Sequence, residues 1–172
     1  MSQHWNVLHQ RTLSRQGDSV DDVLRKLETT DPALARQLRG LNWSVIRREV
    51  AKRAIARAAA KISNCGIKDS YDNSTSYHTA SGAPPKGTCV GVLQSGDTQL
   101  GVALDGTTLI LFWNGYAQER GPDKLRQMTK ALEDAYLIEA YKAMLQLIGG
   151  TPTEQTTDRG LVVLSTKLGE EV

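Results

Sequence analysis

Apolar residues recur at helical spacing through the first third of the chain. After Ser19, a typical helix N-cap, the pattern predicts a helix to about residue 29. Asp31-Pro32 predicts the start of a second helix that ends near Gly40, because proline suits the first helical position. A third helix is predicted from about residue 43 to 62, and the first ten residues favour at most one short strand.

Beyond Pro85 the pattern changes to short apolar runs separated by turn signals. Three runs joined by QSGD and DG turns predict three antiparallel strands, at residues 89–93, 100–104 and 107–113. A long helix is predicted from Pro122 to about residue 148, followed by a terminal hairpin formed by residues 151–157 and 161–168. The C-terminal unit therefore has the predicted order β-β-β-α-β-β.

Between these two parts lies a segment rich in Ser, Thr, Asn, Gly, Pro and Tyr, which is typical of a linker or long loop. The chain is thus predicted to divide into a helical basic region (1–62), a Ser/Tyr/Pro-rich arm or linker (63–88) and an α+β domain (89–172). The predicted fold class is α+β, with the N-terminal helical basic region followed by an antiparallel β-β-β-α-β-β sheet packed on one long helix.

Composition narrows the kind of protein. With only nine aromatic residues among 172, the core must be built mainly from aliphatic side chains. There is no apolar run of about 18 residues for a membrane span, and the polar N-terminus is unlike a signal peptide. We therefore expect a cytoplasmic protein without membrane contact, in which Cys65 and Cys89 are free thiols.

Charge is divided unevenly along the chain. The formal net charge is only +2, yet the stretch from Arg36 to Lys61 holds eight basic residues and a single acid, Glu49. A cationic helix of this kind is typical of three situations: a solvated surface, a contact with an acidic protein surface, or a contact with nucleic-acid phosphates. The residues predicted to contact phosphate or an acidic partner are Arg47, Arg48, Lys52, Arg53, Arg57 and Lys61.

Two further surfaces are candidates for contact with macromolecules. Tyr71, Tyr77 and His78, in the arm that follows the basic helix, are of residue types that stack on exposed bases. In the second half of the long helix the apolar surface widens around Tyr141 and Leu145. That half is predicted to be buried on two sides or to meet a partner, and these two residues mark the predicted docking surface.

The sequence predicts no catalytic, cofactor or metal site. Cys65, His78 and Cys89 supply neither four zinc ligands at short spacing nor a cysteine beside a clear base. Adjacent carboxylates such as Glu133 and Asp134 do not face one another on a helix, and there is no phosphate-binding glycine motif. We therefore predict a protein that is not an enzyme and requires no cofactor.

Several stretches together resemble a known family. They are CVGVLQSGDTQLGVALDGTTLILFWNGY, a helix containing LEDAYLIEAYKAM, a Gly-Gly pair and a final strand GLVVLST, and they cover residues 88–168. In order and texture they resemble a conserved uncharacterised family of cyanobacteria, plastids and other bacteria that is often encoded near an AAA-type ATPase. The resemblance implies an accessory role, with an AAA-type ATPase as a partner, and carries over no functional residue.

Taken together, these patterns predict a non-enzymatic accessory or structural subunit that acts by protein–protein docking within an assembly, with a protein partner or a homo-oligomer as the contact. The alternative prediction is a nucleic-acid-binding module that uses the basic helix 43–62.

Overall fold

The computed structural model describes residues 8–13, 16–70 and 87–167. Its helices and strands, in chain order, are β1 (Leu8–Thr12), α1 (Gln16–Thr30), α2 (Pro32–Arg39), α3 (Trp43–Lys61), β2 (Cys65–Lys68), β3 (Thr88–Ser95), β4 (Thr98–Asp105), β5 (Thr108–Asn114), α4 (Gly115–Arg120), α5 (Pro122–Leu147), β6 (Thr151–Thr156) and β7 (Val162–Lys167). The fold class is α+β, as predicted.

Local capping explains where the N-terminal helices begin. The Asp31 side chain accepts a hydrogen bond from the first turn of α2, and Asn42 does the same for α3, so each caps its helix. The second and third predicted helices are confirmed within a residue or two. The first begins at Gln16, so Ser19 lies inside its first turns and does not cap it.

The main sheet is antiparallel and has the strand order β1-β5-β4-β3-β2. Its centre is the meander β3–β4–β5 that the sequence predicts. Gly96 and Gly106, in the two turns of the meander, have φ values of 60° and 63°, which an L side chain rarely adopts. The turn chemistry therefore accounts for the predicted part of the sheet.

The predicted composition and packing of the sheet are wrong in three respects. Its two edge strands, β1 and β2, come from outside the predicted α+β unit, and β2 lies within the segment predicted to be an arm. The terminal hairpin β6–β7 forms a separate two-stranded sheet next to α5. Finally, two helices, α3 and α5, cover one face of the sheet, where one long helix was predicted.

Small side chains allow α3 to lie close to the sheet and to α5. Ala54 and Ala58 are completely buried, and they share one core with Leu93 and Leu111 of the sheet and Tyr136 of α5. A helix with alanines at these positions can approach its neighbours closely. Helix α3 of the basic region and the sheet therefore contribute to the same hydrophobic core, although residues 63–88 separate them in the sequence.

Two smaller clusters complete the packing. The pair α1–α2 packs through Leu24 and Leu38 against Met144, so the second half of α5 is covered on two sides. On the opposite face of the sheet Phe112 lies across Gly101, where an added Cβ atom would stand only 2.0 Å from the ring. No helix within the described residues is long and apolar enough to cross a membrane.

Candidate functional site

The exposed side of α3 carries three of the predicted contact residues. Arg48, Lys52 and Arg53 are exposed, and we call them the basic face. Ala56 and Ala60 are exposed on the same side, so only small side chains lie next to Lys52 and Arg53, while Arg48 lines a cavity of about 270 Å³ with Ser44 and Gly106. Glu49 is the acid on this side, 3.8 Å from the ammonium of Lys52. An ion pair as exposed as this one contributes little stability and leaves the lysine accessible.

The other three predicted contact residues lie elsewhere. Lys61 is exposed at the last residue of α3, beyond the basic face. Arg47 is half-buried and lines a cavity of about 240 Å³ between the helices, together with Asp21 and Trp43. Arg57 faces α5 and has carboxylate partners. The structure therefore divides the six residues into an exposed group and a group that packs inside the protein.

Arg57 is the centre of a network of four charges, which we call the charge clasp: Arg57, Glu139, Lys142 and Glu154. The Arg57 guanidinium donates to Glu139 of α5 at 3.2 Å and to Glu154 of β6 at 2.5 Å. Lys142 stands 3.4 Å from the Glu154 carboxylate and 3.7 Å from that of Glu139. The clasp contains two cations and two anions, and it joins α3, α5 and the hairpin at one point.

The charges in the clasp stabilise one another. The hydrogen bond from Arg57 lowers the pKa of the Glu154 carboxyl below its usual value, with a further contribution from Lys142. In turn, the hydrogen bond to Glu154 raises the pKa of Arg57, and the bond to Glu139 adds to this effect. Glu139 is only 10% exposed and Arg57 15% exposed, so the Arg57–Glu139 bond is largely shielded from water, whereas Glu154 is 27% exposed. The clasp is a structural joint and has no open position for a ligand.

The hairpin β6–β7 stands outside the main sheet, and its free edges can be assigned from its register. The N–H of Thr157 donates to the carbonyl of Leu161, which makes these two residues a hydrogen-bonded pair at the turn end. Hydrogen-bonded and non-hydrogen-bonded pairs alternate along an antiparallel ladder. Val162 and Leu164 therefore belong to non-hydrogen-bonded pairs, and their N–H and C=O groups point away from β6.

The two edges of this hairpin differ in chemistry. On β6, Pro152 occupies one of the outward-pointing positions and has no N–H to offer, and Glu154 occupies the next. On β7 the outward-pointing positions are Thr166 opposite Pro152, Leu164 opposite Glu154, and Val162 opposite Thr156, all three β-favouring or apolar. The outward-pointing positions of β6 thus include a proline and an acid, whereas those of β7 include neither, and the charged residue of β7 is Lys167 at its end.

The predicted docking residues on α5 lie next to the hairpin. Successive residues of an α-helix are rotated by about 100°. On that basis Tyr141 and Leu145 lie between Met144, which packs on α1–α2, and Lys142, which contacts Glu154 of the hairpin. Both are half-buried. The surface predicted from their apolar pattern is therefore a narrow stripe, because α1 and α2 cover much of the remaining apolar face.

A shallow cleft that the sequence did not reveal lies beside the edge strand β1. Trp113 and Leu125 form its apolar part, and Arg11 and Arg126 flank it, enclosing about 280 Å³. The Trp113 indole N–H donates to Gln118 at 3.1 Å, while Arg11 pairs with Glu133 at 2.7 Å. These polar groups of the cleft therefore already have partners within the chain.

The other candidates from the sequence are the two cysteines and the aromatic residues of the arm. Cys65 and Cys89 are half-buried and are not joined in a disulfide, and burial raises the pKa of the Cys65 thiol, opposed by the charge of Lys124. Among the residues that the structure describes, no three potential metal ligands of the types His, Cys, Asp or Glu come together. Tyr71, Tyr77 and His78 lie outside the described residues.

Comparison of the chain with protein-family models, with curated proteins and with solved structures finds no match in any of the three. The resemblance carried by residues 88–168 stays a prediction.

Proposed function

We propose that the protein is a non-enzymatic structural or accessory subunit that acts by docking, and that its first contact is a second copy of the same chain through the edge of β7. The observation that carries the proposal is the difference between the two hairpin edges, of which β7 has its backbone groups at Val162 and Leu164 directed outward with no proline or acid among them.

A second copy is the occupant that this geometry favours. Two identical edges can pair antiparallel about a two-fold axis, which satisfies the same backbone groups on both chains at once. Such an interface is closed, so it produces a dimer rather than a fibre. In such a pair Val162 and Leu164 of one chain make the same backbone contacts as Val162 and Leu164 of the other.

Apolar side chains near the edge support the same arrangement. Leu161 is 64% exposed and Val163 is 47% exposed, so both present apolar surface to water at the turn end of β7. Tyr141 and Leu145 lie on the neighbouring surface of α5. In a two-fold antiparallel pair, Leu161 and Val163 of both chains would lie on one face of the joined sheet and remove apolar area from water.

The β6–β7 hairpin needs contacts beyond its own two strands to be stable, and the charge clasp provides only some of these contacts. An isolated two-stranded ribbon is at best marginally stable in water. Here Glu154 fastens β6 to Arg57 and Lys142. Two paired strands of six residues bury less than the roughly 1,200 Å² of a stable interface, so we expect a dimer with a Kd above about 1 μM.

The test is the mass of the protein in solution as a function of concentration, by light scattering after size exclusion and by sedimentation equilibrium. The native chain is expected to shift from monomer to dimer. Val162→Pro removes one outward N–H from the β7 edge and is expected to stay monomeric. Thr156→Pro, which removes the outward N–H of the residue directly opposite on β6, is the matched control and is expected to dimerise like the native chain.

Two results would overturn the proposal. One is a native chain that stays strictly monomeric up to the highest soluble concentration. The other is a Val162→Pro variant that dimerises as well as Thr156→Pro, because the contact would then not involve the β7 edge.

A further inference from the structure

We infer that the basic face of α3, formed by Arg48, Lys52 and Arg53, is a binding surface for the phosphate backbone of double-stranded nucleic acid. This surface lies on α3 and the proposed dimer contact lies on β7, so the two sites are separate. The inference does not depend on the proposed function.

The charge of α3 is the first step of the argument. Of the basic residues on the helix, Arg57 is committed to Glu139 and Glu154 and is unavailable to a ligand. Arg48 and Arg53 have no ion pair with any residue in the described part of the chain, and Lys52 has only its loose contact with Glu49. The helix therefore keeps a cationic surface even after the internal pairs are formed.

The spacing of these residues is the second step. Arg48 and Lys52 are four residues apart, about one helical turn or 6 Å along the axis, and Arg53 follows directly. Arg48 and Lys52 therefore project from one side of the helix, and Arg53 lies about 100° further round the axis from Lys52. Long side chains spread over this part of the helix surface can reach neighbouring phosphates of a duplex together.

The neighbouring residues on the same side favour a backbone contact over the reading of bases. Ala56 and Ala60 are exposed and small, so α3 can come close to a ridge of phosphates. The other exposed positions of this side, Val45 and Glu49, offer neither an aromatic ring nor an amide. Stacking on unpaired bases requires aromatic side chains, and adenine is usually read by Asn or Gln, so these residues support neither contact. Arginine and lysine can read guanine, and the contact that all three cations can make together is with duplex phosphates.

The experiment measures the affinity of the full-length protein for a fluorescent random-sequence DNA duplex by anisotropy over a series of salt concentrations. Three phosphate contacts predict that log K falls with log salt with a slope of about −3. The variant R48E/K52E/R53E is expected to bind at least about tenfold more weakly at low salt and to show a flatter slope.

The control has the same change in net charge, placed elsewhere. K26E/R120E/R159E reverses three exposed cations on α1, α4 and the β6–β7 turn, and it is expected to change the affinity by less than about threefold. Circular dichroism and the urea midpoint establish that both variants are folded. The concentration dependence of the mass reports separately on the β7 contact, so failure of one proposal leaves the other testable.

Three outcomes would overturn the inference. The native protein does not bind the duplex at low salt, or the control loses as much affinity as the basic-face variant, or a polyglutamate peptide binds as tightly as the duplex with the same dependence on the basic face. The last outcome would identify the ligand as an acidic protein surface.

Discussion

Replacing Arg57 by leucine removes the centre of the charge clasp while keeping an apolar side chain between α3 and α5. The guanidinium is lost from two carboxylates that it contacts at 3.2 Å and 2.5 Å. Lys142 remains as the single cation for both, at 3.7 Å from Glu139 and 3.4 Å from Glu154. One positive charge must then balance two negative charges at a largely buried position.

The size of the effect follows from the exposure of each partner. Breaking a buried ion pair by removing one partner costs about 3–5 kcal/mol, because the other charge stays desolvated. Glu139 is close to that limit at 10% exposed, whereas Glu154 is 27% exposed and partly screened by water. With Lys142 still in place, we expect Arg57→Leu to lower the free energy of unfolding by about 2–3 kcal/mol.

The assay is urea unfolding followed by circular dichroism at neutral pH, with Arg53→Leu as the matched control. Arg53 lies one turn earlier on α3 and is exposed, so its replacement is expected to cost less than about 0.5 kcal/mol. If Arg57→Leu costs less than about 1 kcal/mol, the clasp behaves like an ordinary surface pair and the reasoning is wrong.

The difference in stability between the native protein and Arg57→Leu is expected to depend on pH. Arg57 lowers the pKa of Glu154 in the folded state, so the stability from this contact is fully present above the unfolded pKa of Glu, about 4.3. It is lost as the pH falls through the lower, folded pKa, when the carboxylate takes up a proton. The difference between native protein and Arg57→Leu is therefore expected to shrink below about pH 4.3. A difference that stays constant or grows on acidification would contradict this account.

Three further predictions concern packing, ionisation and capping. Gly101→Ala places a Cβ atom about where the Phe112 ring lies and is expected to cost at least about 2 kcal/mol, whereas Gly66→Ala, with no atom within 4 Å, is expected to cost less than about 1 kcal/mol in the same urea assay. Burial raises the pKa of Tyr136 to about 12, so stability is fully present below about pH 10 and declines as the pH rises through 12; an absorbance titration that ionises every tyrosine near pH 10 in the folded protein would contradict this. Asn42→Ala removes the N-cap of α3 and is expected to lower the unfolding free energy by about 1 kcal/mol, and no change in the urea midpoint would refute the role of the cap.

Local signals account for the part of the fold that could be predicted. The helix α3 could be placed because Asn42 and the alanine-rich sequence after it act within a few residues. The meander β3–β4–β5 could be placed because its turns contain glycines that suit tight hairpins. Such features are readable from the chain without knowing what lies beside it in space.

The edge strands and the clasp could not be predicted, since they depend on distant parts of the chain. The four residues of β2 have no alternating pattern, and only the pairing with β3 makes them a strand. Arg53 and Arg57 are identical in type and lie on the same helix, yet only Arg57 faces acids, 82 and 97 residues further along the chain. Nothing near Arg57 or Glu154 in the sequence signals that contact.

The position of β1 at the edge of the main sheet has a consequence for biosynthesis. Leu8 pairs with Asn114, so β1 cannot form its hydrogen bonds with β5 until about a hundred further residues have been made. At about 5–20 residues per second, the ribosome needs several seconds or more to deliver β5. The helices α1 to α3 depend on nearby residues and can form within microseconds, whereas closing so long a loop is slow. The nascent protein therefore acquires α1 to α3 early, whereas β1 can pair only after β5 has been made.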